Sequence, residues 1–384
     1  MNRRDAARQL ALFLAASPLA RGQQDTAPPA PKLEDMVNVF DFDPVCKANA
    51  PKPAYDYVSG GAWDEWTVSR NREGFGRITF RPRFLVEVDK LDVSTTLFGQ
   101  KLAMPIFVAP TGTHSLLHKE GELATARGAG AAGAPMIVST SSSYPIDKIA
   151  AAAGGPLWFK LYTGPDRDST REKVERAVDA GCKAVCVTVD APYFAPRERD
   201  IRNRLERDVP ERAARRRAEA QISQPYGLPA RFQAGLNWKF IEELCGYARV
   251  PVLVKGVLTP EDAELSVRHG AAGVLVSNHG GRFLDFAPST IEVLPEIVDA
   301  IGAKVPVLID GGFRRGTDIL KALAVGAKAI CVGRPPLWGL GAFGEAGVRR
   351  VMEILQRELA WAMALAGRPT IHTVDRSLIR IERI

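Results

Sequence analysis

Eight short apolar runs recur from residue 104 onward, and their regular spacing is the feature that most limits the fold. They occupy residues 104–109, 135–139, 156–162, 183–190, 250–256, 272–278, 305–310 and 328–334. Segments of helical periodicity lie between them, and several end at glycine, as helices commonly do. Strands that alternate with helices form a parallel sheet, so the pattern predicts an α/β chain folded as a (β/α)8 TIM barrel. Residues 41–59, helical in pattern with two interrupting prolines, predict an N-terminal helical extension.

Polar residues and glycines follow nearly every apolar run. In a barrel of this kind the carboxyl ends of all strands meet at one face, which carries the ligand and catalytic groups. The sixth run ends in SNHGGR, which includes Ser277, His279 and Arg282. We therefore expect the functional site at this face, with Arg197 and Arg282 as candidates for holding a small carboxylate.

The loops after the seventh and eighth runs predict a phosphate site. They read DGGFRRG and VGRP, and loops at these positions commonly bind phosphate in TIM barrels. Gly311, Gly312 and Gly333 let backbone N–H groups approach an anion, while Arg314 and Arg334 supply forked donors. A phosphorylated ligand is the expected occupant.

Two further strand ends carry ionisable groups. Lys255 ends a run of buried type, where an uncompensated ammonium is costly, so it should face an anion or an electron-rich ring. A structural ion pair with Asp190 or Asp310 is the competing interpretation. His279 lies on a glycine-rich strand end, and Asp190 is a partner that would raise its basicity.

The motifs SNHGGR, LIDGGFRRGTD and VGRP resemble those of the FMN-dependent L-2-hydroxy acid oxidase and dehydrogenase family, which includes glycolate oxidase, lactate oxidase and mandelate dehydrogenase. The resemblance extends from about Tyr55 to Gly367. It implies a barrel with FMN across the strand ends that oxidises a small L-2-hydroxy acid, such as lactate or glycolate, to the 2-oxo acid. It also implies a homotetramer.

The resemblance also implies a role for individual residues of this chain. The catalytic group would contain His279 as the base and Asp190 as its partner, together with Tyr57 and Tyr162. The substrate would bind Tyr57, Tyr162, Arg197, His279 and Arg282. FMN would contact Ala109, Pro110, Thr111, Ser139, Lys160, Thr188, Lys255, Ser277, Asp310, Gly311, Gly312, Arg314, Gly333 and Arg334.

Four positions depart from the family pattern. Lys160 stands where relatives usually carry glutamine, and a second cation near the flavin would alter the redox potential or the choice of acceptor. Ser141 replaces a bulky aromatic of glycolate oxidase, which predicts a roomier or more polar pocket. Gly112 resembles the mandelate dehydrogenase pattern, and Phe283 replaces a usual glutamine. The electron acceptor therefore stays open among oxygen, a quinone and a cytochrome.

The N-terminus resembles an export signal. Residues 1–22 contain the pair Arg3 and Arg4 followed by a short apolar segment, as in twin-arginine signals, and this predicts a periplasmic protein. The alternative is an amphipathic N-terminal helix and a cytoplasmic protein. Residues 23–32 have the composition of a flexible linker, and residues 33–384 form the predicted barrel domain.

A long insertion after the fourth apolar run is the second predicted extension. It spans about residues 197–239 and is rich in Arg, Glu, Ala and Pro. Insertions of this length commonly have a function, which predicts a lid over the strand ends. A surface helix with a disordered flank is the alternative.

Composition argues against several classes of protein. The 51 Lys and Arg residues are interleaved with 44 Asp and Glu, which indicates a solvated surface and not a nucleic-acid interface. Five cysteines, with Cys182 and Cys186 four apart and no second pair, favour neither a disulfide framework nor a metal site. No apolar stretch approaches the roughly 20 residues of a transmembrane helix.

Two other functions stay open at this point. A phosphate-binding barrel that acts as an isomerase or reductase would share the loops after the seventh and eighth runs. It would leave His279, Arg197 and Arg282 without a role. A non-catalytic FMN-binding module would leave the acid and base residues unexplained.

Overall fold

The computed structural model describes residues 31–164, 166–204 and 236–382. The chain divides into an N-terminal unit that ends at Asp35 and a main unit that begins at Met36. The described part of the first unit holds one 3-10 turn, Leu33–Asp35. The predicted signal peptide and residues 23–30 of the predicted linker lie outside the described residues.

Twelve strands are present in the described residues, and eight of them form a closed barrel. In chain order the strands are β1 (Ile78–Phe80), β2 (Thr95–Leu97), β3 (Gln100–Leu102), β4 (Ile106–Val108), β5 (Met136–Ser139), β6 (Leu157–Leu161), β7 (Val185–Thr188), β8 (Val252–Val257), β9 (Gly273–Val276), β10 (Val307–Asp310), β11 (Ala329–Val332) and β12 (Ile379–Ile381). Strands β4 to β11 are parallel and neighbour one another in sequence order, with β11 closing onto β4. Each overlaps one of the eight apolar runs, so the predicted TIM barrel is confirmed.

Helices surround the barrel. In chain order they are α1 (Phe42–Asn49), α2 (Lys52–Ser59), α3 (Trp66–Glu73), α4 (Gly121–Ala131), α5 (Ile146–Ala152), α6 (Arg167–Asp179), α7 (Glu198–Asn203), α8 (Trp238–Tyr247), α9 (Pro260–Arg268), α10 (Thr290–Ile301), α11 (Gly316–Val325) and α12 (Arg334–Leu365). Helices α1 and α2 confirm the N-terminal extension. Capping residues fix several starts: the Thr259 side chain accepts from Asp262 N at the start of α9, where Pro260 occupies the first turn.

Alternation along the strands decides which side chains enter the barrel. Inward positions of the deeper layers are apolar, for example Phe107, Trp158 and Leu308, all fully buried. Two residues further toward the carboxyl ends, the inward positions become small or polar. We call this set the mouth layer: Ala109, Ser139, Lys160, Thr188, Lys255, Ser277, Asp310 and Gly333. The barrel is thus filled by apolar packing below and ends in a chemically varied floor above.

The two ends of the barrel differ: one is covered and the other is open. The hairpin β2–β3 covers the amino ends, where Leu97 and Leu102 join the apolar core and Trp158 Nε1 donates to Gln100 Oε1 at 3.3 Å. The carboxyl ends open onto a cavity. Of the predicted lid, residues 205–235 lie outside the described residues, and the described part contains helix α7. None of the described helices is long and apolar enough to cross a membrane. All five cysteines are free thiols.

Candidate active site

A cavity of about 810 Å³ opens above the mouth layer. This size is typical of sites for cofactors and small ligands. Every predicted site residue lines it except Asp190, Thr188 and Ser277. Asp190 and Ser277 lie behind the wall and contact His279 and Lys255, which do line it. The structure therefore brings together residues that are distant in sequence at the face where they were expected.

His279 is held in one orientation by three contacts. Its Nδ1 lies 3.0 Å from Asp190 Oδ1, and its backbone N donates to Ser277 Oγ at 3.0 Å. Its Nε2 lies 3.2 Å from Tyr162 Oη, at the cavity side. His279 has φ of 55°, in the left-handed region that non-glycine residues rarely adopt, so the local backbone is strained to aim the ring. A carboxylate on Nδ1 keeps the proton there and leaves the Nε2 lone pair for chemistry.

The electrostatics of the His279–Asp190 pair favour an unprotonated imidazole. Burial lowers the pKa of His279 to about 4, and the nearby Lys255 and Lys160 act in the same direction, against the opposing effect of Asp190. Burial by itself would raise the pKa of Asp190, but attraction to His279, Lys255 and Lys160 lowers it below its usual range. At neutral pH the pair is therefore a neutral imidazole next to an ionised carboxylate.

Two guanidinium groups converge on the ring of Tyr57. Arg282 Cζ lies 4.9 Å and Arg197 Cζ 5.1 Å from the ring centroid. Arg282 Nη1 also donates to the carbonyls of Tyr57, at 2.7 Å, and Gly60, at 3.0 Å. Arg197 Nε lies 2.8 Å from Asp200 Oδ2. The two cations come from opposite sides of residues 205–235 in sequence. Together they form one corner of the cavity, where Asp200 offsets part of their charge.

The phenol of Tyr162 completes this corner. Burial raises its pKa, and Asp190 and Tyr57 add to the increase more than Arg197 and Arg282 reduce it. The phenol therefore keeps its proton and can donate to an oxygen of a bound ligand.

Lys255 forms an ion pair, which was the competing interpretation from the sequence, and it also faces the cavity. Its Nζ lies 3.2 Å from Asp310 Oδ2 and donates to Ser277 Oγ at 2.7 Å, so an ion pair with Asp310 exists. Lys255 nevertheless lines the cavity. Burial favours the neutral amine, but Asp310 and Asp190 outweigh it and raise the pKa of Lys255. The other oxygen of Asp310, Oδ1, is buried and has no hydrogen-bond partner in the described chain, which leaves it available to a ligand hydroxyl.

Arg314, which is buried, and Arg334, which is half-buried, occupy the opposite end of the cavity. Burial lowers the pKa of Arg314 to about 9, with a further reduction from Arg334, and burial lowers the pKa of Arg334 to about 10. Arg314 stacks on Trp338, with Cζ 4.7 Å from the ring centroid, and Arg334 Nη2 donates to Gly60 O at 2.9 Å. Neither forms a salt bridge with a carboxylate of the described residues. Two neighbouring cations that repel each other are a fitting site for a phosphate dianion.

Three glycines shape the backbone beside these arginines. Gly311 and Gly312 have φ of 103° and 81°, which side chains rarely tolerate. Gly333 has no atom within 3.4 Å of the place where a Cβ would be, since its nearest neighbour is Thr111 Cγ2 at 3.8 Å. The residues present thus fit FMN. The arginine pair and its glycines match the phosphate dianion, the free Asp310 oxygen matches the hydroxylated chain, and the mouth layer matches the flat ring.

Replacing Gly312 with alanine is expected to reduce both the melting temperature and the FMN content of the purified protein. A Cβ at this position would lie 2.1 Å from the backbone oxygen of Asn71, on a backbone with positive φ. Strain of this kind typically costs about 1–3 kcal/mol. Gly76→Ala is the matched control, because nothing lies within 4 Å of the place where its Cβ would be. Equal melting temperatures and FMN content in the two variants would contradict the expectation.

Two residues that support the site were not identified from the sequence. Asn71 is buried at 2% exposure and exchanges hydrogen bonds with Asn278 of 2.9 and 2.8 Å. His114, 1% exposed, holds Thr111 Oγ1 through Nε2 at 2.7 Å and Thr125 Oγ1 through Nδ1 at 3.0 Å. Asn71 carries no local signal in the sequence. His114 could have been found as one of only five histidines, three residues after Thr111.

Comparison with known proteins agrees with this geometry. A family model described as FMN-dependent dehydrogenase matches residues 46–381. A peroxisomal (S)-2-hydroxyacid oxidase from Arabidopsis thaliana is 44% identical over 91% of this chain and 98% of its own length, and glycolate oxidase from Spinacia oleracea is 42% identical over 90% and 96%. A crystal structure of mandelate oxidase has a TM-score of 0.81 at 38% identity and covers 90% of this chain and 100% of its own. A soluble mutant of the membrane-associated (S)-mandelate dehydrogenase from Pseudomonas putida has a TM-score of 0.81 at 36% identity, with the same coverage. The chain therefore belongs to the FMN-dependent dehydrogenase family.

Proposed function

We propose that this chain oxidises a small L-2-hydroxy acid to the 2-oxo acid, with FMN as the cofactor. The observation that carries the proposal is the neutral His279, fixed by Asp190 and placed at the same cavity wall as two guanidinium groups. A base beside a site for a carboxylate is the pair of features that the oxidation of a 2-hydroxy acid requires. Similarity to hydroxy acid oxidases and mandelate dehydrogenase supports the same reaction class.

The substrate carboxylate would bind Arg197 and Arg282. Forked guanidinium donors match the geometry of a carboxylate and fix which face of the substrate is presented to the cofactor. Tyr57, whose ring lies against both guanidinium groups, would contact the same carboxylate. The Tyr162 phenol, 3.2 Å from His279 Nε2, would donate to the substrate hydroxyl oxygen.

His279 would take up a proton of the substrate through Nε2. Conversion of CH–OH to C=O removes two electrons and two protons, so a base must hold one proton at the carbinol. FMN, when bound, supplies the acceptor for both electrons and the other proton. Asp190 would stabilise the imidazolium that forms, because its carboxylate already contacts Nδ1 at 3.0 Å.

The cofactor would be held along the length of the cavity. Arg314, Arg334 and the backbone of Gly311 and Gly312 would bind the phosphate, and Asp310 would accept from the ribityl chain. The ring would lie on the mouth layer. The further residues that we propose as contacts of the ring line the cavity: Ala109, Pro110, Thr111, Ser139, Lys160, Lys255 and Gly333. The other two predicted contacts, Thr188 and Ser277, belong to the mouth layer but do not line the cavity.

The pocket for the substrate side chain would be wider than that of glycolate oxidase. The two departures Gly112 and Ser141 touch each other: a Cβ at Gly112 would lie 2.9 Å from Ser141 Cβ. The small residues therefore share one wall, and Phe194, Ile201 and Phe283 also line the cavity. This supports 2-hydroxy acids with a side chain larger than that of glycolate.

The proposal is tested by anaerobic reduction of the purified protein. We expect a yellow protein whose flavin absorbance bleaches with L-lactate, glycolate or L-mandelate, and not with the D-enantiomer of lactate or mandelate. Reoxidation by oxygen, a quinone or a cytochrome then identifies the acceptor. Absence of FMN after reconstitution would contradict the proposal and favour the phosphate-binding isomerase. FMN binding without bleaching by any L-acid would favour the non-catalytic module.

We also propose a homotetramer. Exposed apolar side chains near the cavity mouth support self-association: Trp66 and Phe286 stack at 5.1 Å between ring centroids, and Leu284 is 70% exposed.

The twin arginines within residues 1–22 support export to the periplasm, which stays a proposal.

A further inference from the structure

We propose that Lys160 is a second cation of the cofactor site, which acts with Lys255 to stabilise the negative charge of the reduced flavin and so raises its reduction potential. This inference rests on the proposed function only for the identity of the cofactor.

The position of Lys160 in the barrel directs its ammonium at the ligand. Lys160 lies two residues beyond the buried Trp158 on β6, so its side chain points inward, into the mouth layer. It pairs in register with Cys186 of β7, and β7 in turn pairs Thr188 with Lys255 of β8. The two lysines lie on strands separated by β7, and both line the same cavity. Lys160 is 2% exposed and still lines the cavity.

The ammonium of Lys160 lies at the end of the cavity where the reaction is proposed. Its Nζ lies 2.9 Å from the centroid of the Tyr162 ring, and the phenol of that ring is the neighbour of His279 Nε2. Contact with an aromatic face keeps an ammonium charged without a full solvation shell. A ligand on the mouth layer thus meets a positive charge close to its reactive part.

The mouth layer holds more ammonium groups than carboxylates. Lys160 and Lys255 contribute two ammonium groups, and Asp310 is the one carboxylate of the layer. Asp310 pairs with Lys255 at 3.2 Å, while the carboxylate above the layer, Asp190, contacts His279 and is attracted to both lysines. A cofactor that gains negative charge on this layer would be attracted to both ammonium groups.

Reduction supplies such a charge. Oxidation of the substrate releases two electrons and two protons. With one proton held by His279, bound FMN would supply the acceptor for both electrons and the other proton, which would add one negative charge to the ring. A fixed cation stabilises the charged product over the neutral reactant, so it raises the potential of the couple.

The test compares Lys160→Gln with wild type and with Lys183→Gln, all loaded with FMN. Lys183 is an exposed lysine just before β7 and serves as the matched control. The first measurement is the midpoint potential, obtained by equilibration with a reference dye. The second is the dissociation constant of sulfite, whose lone pair adds to the oxidised ring and leaves a negative charge there.

We expect Lys160→Gln to lower the equilibrium constant for two-electron reduction of the flavin at least tenfold, which corresponds to a midpoint potential lower by about 30 mV. Sulfite should bind at least tenfold more weakly, while Lys183→Gln should match wild type in both measurements. Unchanged potential and sulfite affinity in Lys160→Gln would overturn the inference and leave the proposed function intact. If Lys160→Gln retains no FMN, Lys160→Arg decides: wild-type values support the role of the charge, and a lower potential with weaker sulfite binding overturns it.

Discussion

Replacing His279 with glutamine is expected to slow the reduction of bound FMN by an L-2-hydroxy acid about 10²–10⁴-fold, the usual effect of losing a general base. Glutamine fills a similar volume and can donate toward Asp190, but it cannot accept a proton at the position of Nε2. The FMN content should stay close to wild type, because the arginine pair and the glycines of the phosphate end do not contact His279. The measurement is the rate of anaerobic bleaching after rapid mixing with saturating substrate.

The pH profile of the wild type provides an independent check on the same base. Because burial lowers the pKa of His279 to about 4, the imidazole is neutral at pH 7 and becomes protonated only as the pH falls toward that value. The ratio kcat/KM should therefore fall on the acid side only at pH values below the usual histidine pKa of about 6.5. An acid limb above that value would contradict the assignment.

His269→Gln is the matched control for the histidine substitution. His269 is a surface residue whose Nδ1 lies 2.7 Å from Glu242 Oε1, away from the cavity lining. Its replacement should leave the bleaching rate unchanged. Retention of the wild-type rate by His279→Gln would show that the proton leaves by another route.

The barrel could be predicted because its strands have a distinctive local signature. A parallel strand covered on both faces is a continuous apolar run, and each of the eight runs overlaps one strand. Alternation then decides which side chains point inward. The residues that end the runs accordingly lie around one cavity, as Lys255 and Asp310 illustrate.

The contacts that support the site could not be predicted in the same way. Asn71 and Asn278 are paired across 207 positions, and neither has a sequence pattern that specifies the other. The ion pair of Lys255 had two candidates, and only the fold selects Asp310 over Asp190. No helix was predicted over α12, in which Phe343 and Gly344 have non-helical backbone angles. Long-range packing, and not local propensity, decides the Asn71–Asn278 and Lys255–Asp310 contacts.

Replacing Arg282 with methionine is expected to raise the half-saturating substrate concentration for FMN reduction at least about 30-fold. A buried hydrogen-bonded charge pair that loses one partner costs about 2–5 kcal/mol, and tenfold corresponds to about 1.4 kcal/mol. Methionine keeps most of the length of the side chain and removes the guanidinium. The limiting rate at saturation should change less than the half-saturating concentration, because His279 keeps its contacts with Asp190 and Tyr162.

Arg282 also donates to the carbonyls of Tyr57 and Gly60, so its replacement could weaken substrate binding by displacing the Tyr57 loop. This effect must be distinguished from loss of the contact with the substrate carboxylate. An uncharged 2-hydroxy amide distinguishes the two causes. If the guanidinium acts on the carboxylate, wild type and Arg282→Met should bind the amide with similar affinity; if the loop has moved, both ligands should weaken together. Arg202→Met, at an exposed position of α7 paired with Glu198, should behave as wild type. An unchanged half-saturating concentration in Arg282→Met would remove Arg282 from the substrate site and leave Arg197 as the proposed cation for the carboxylate.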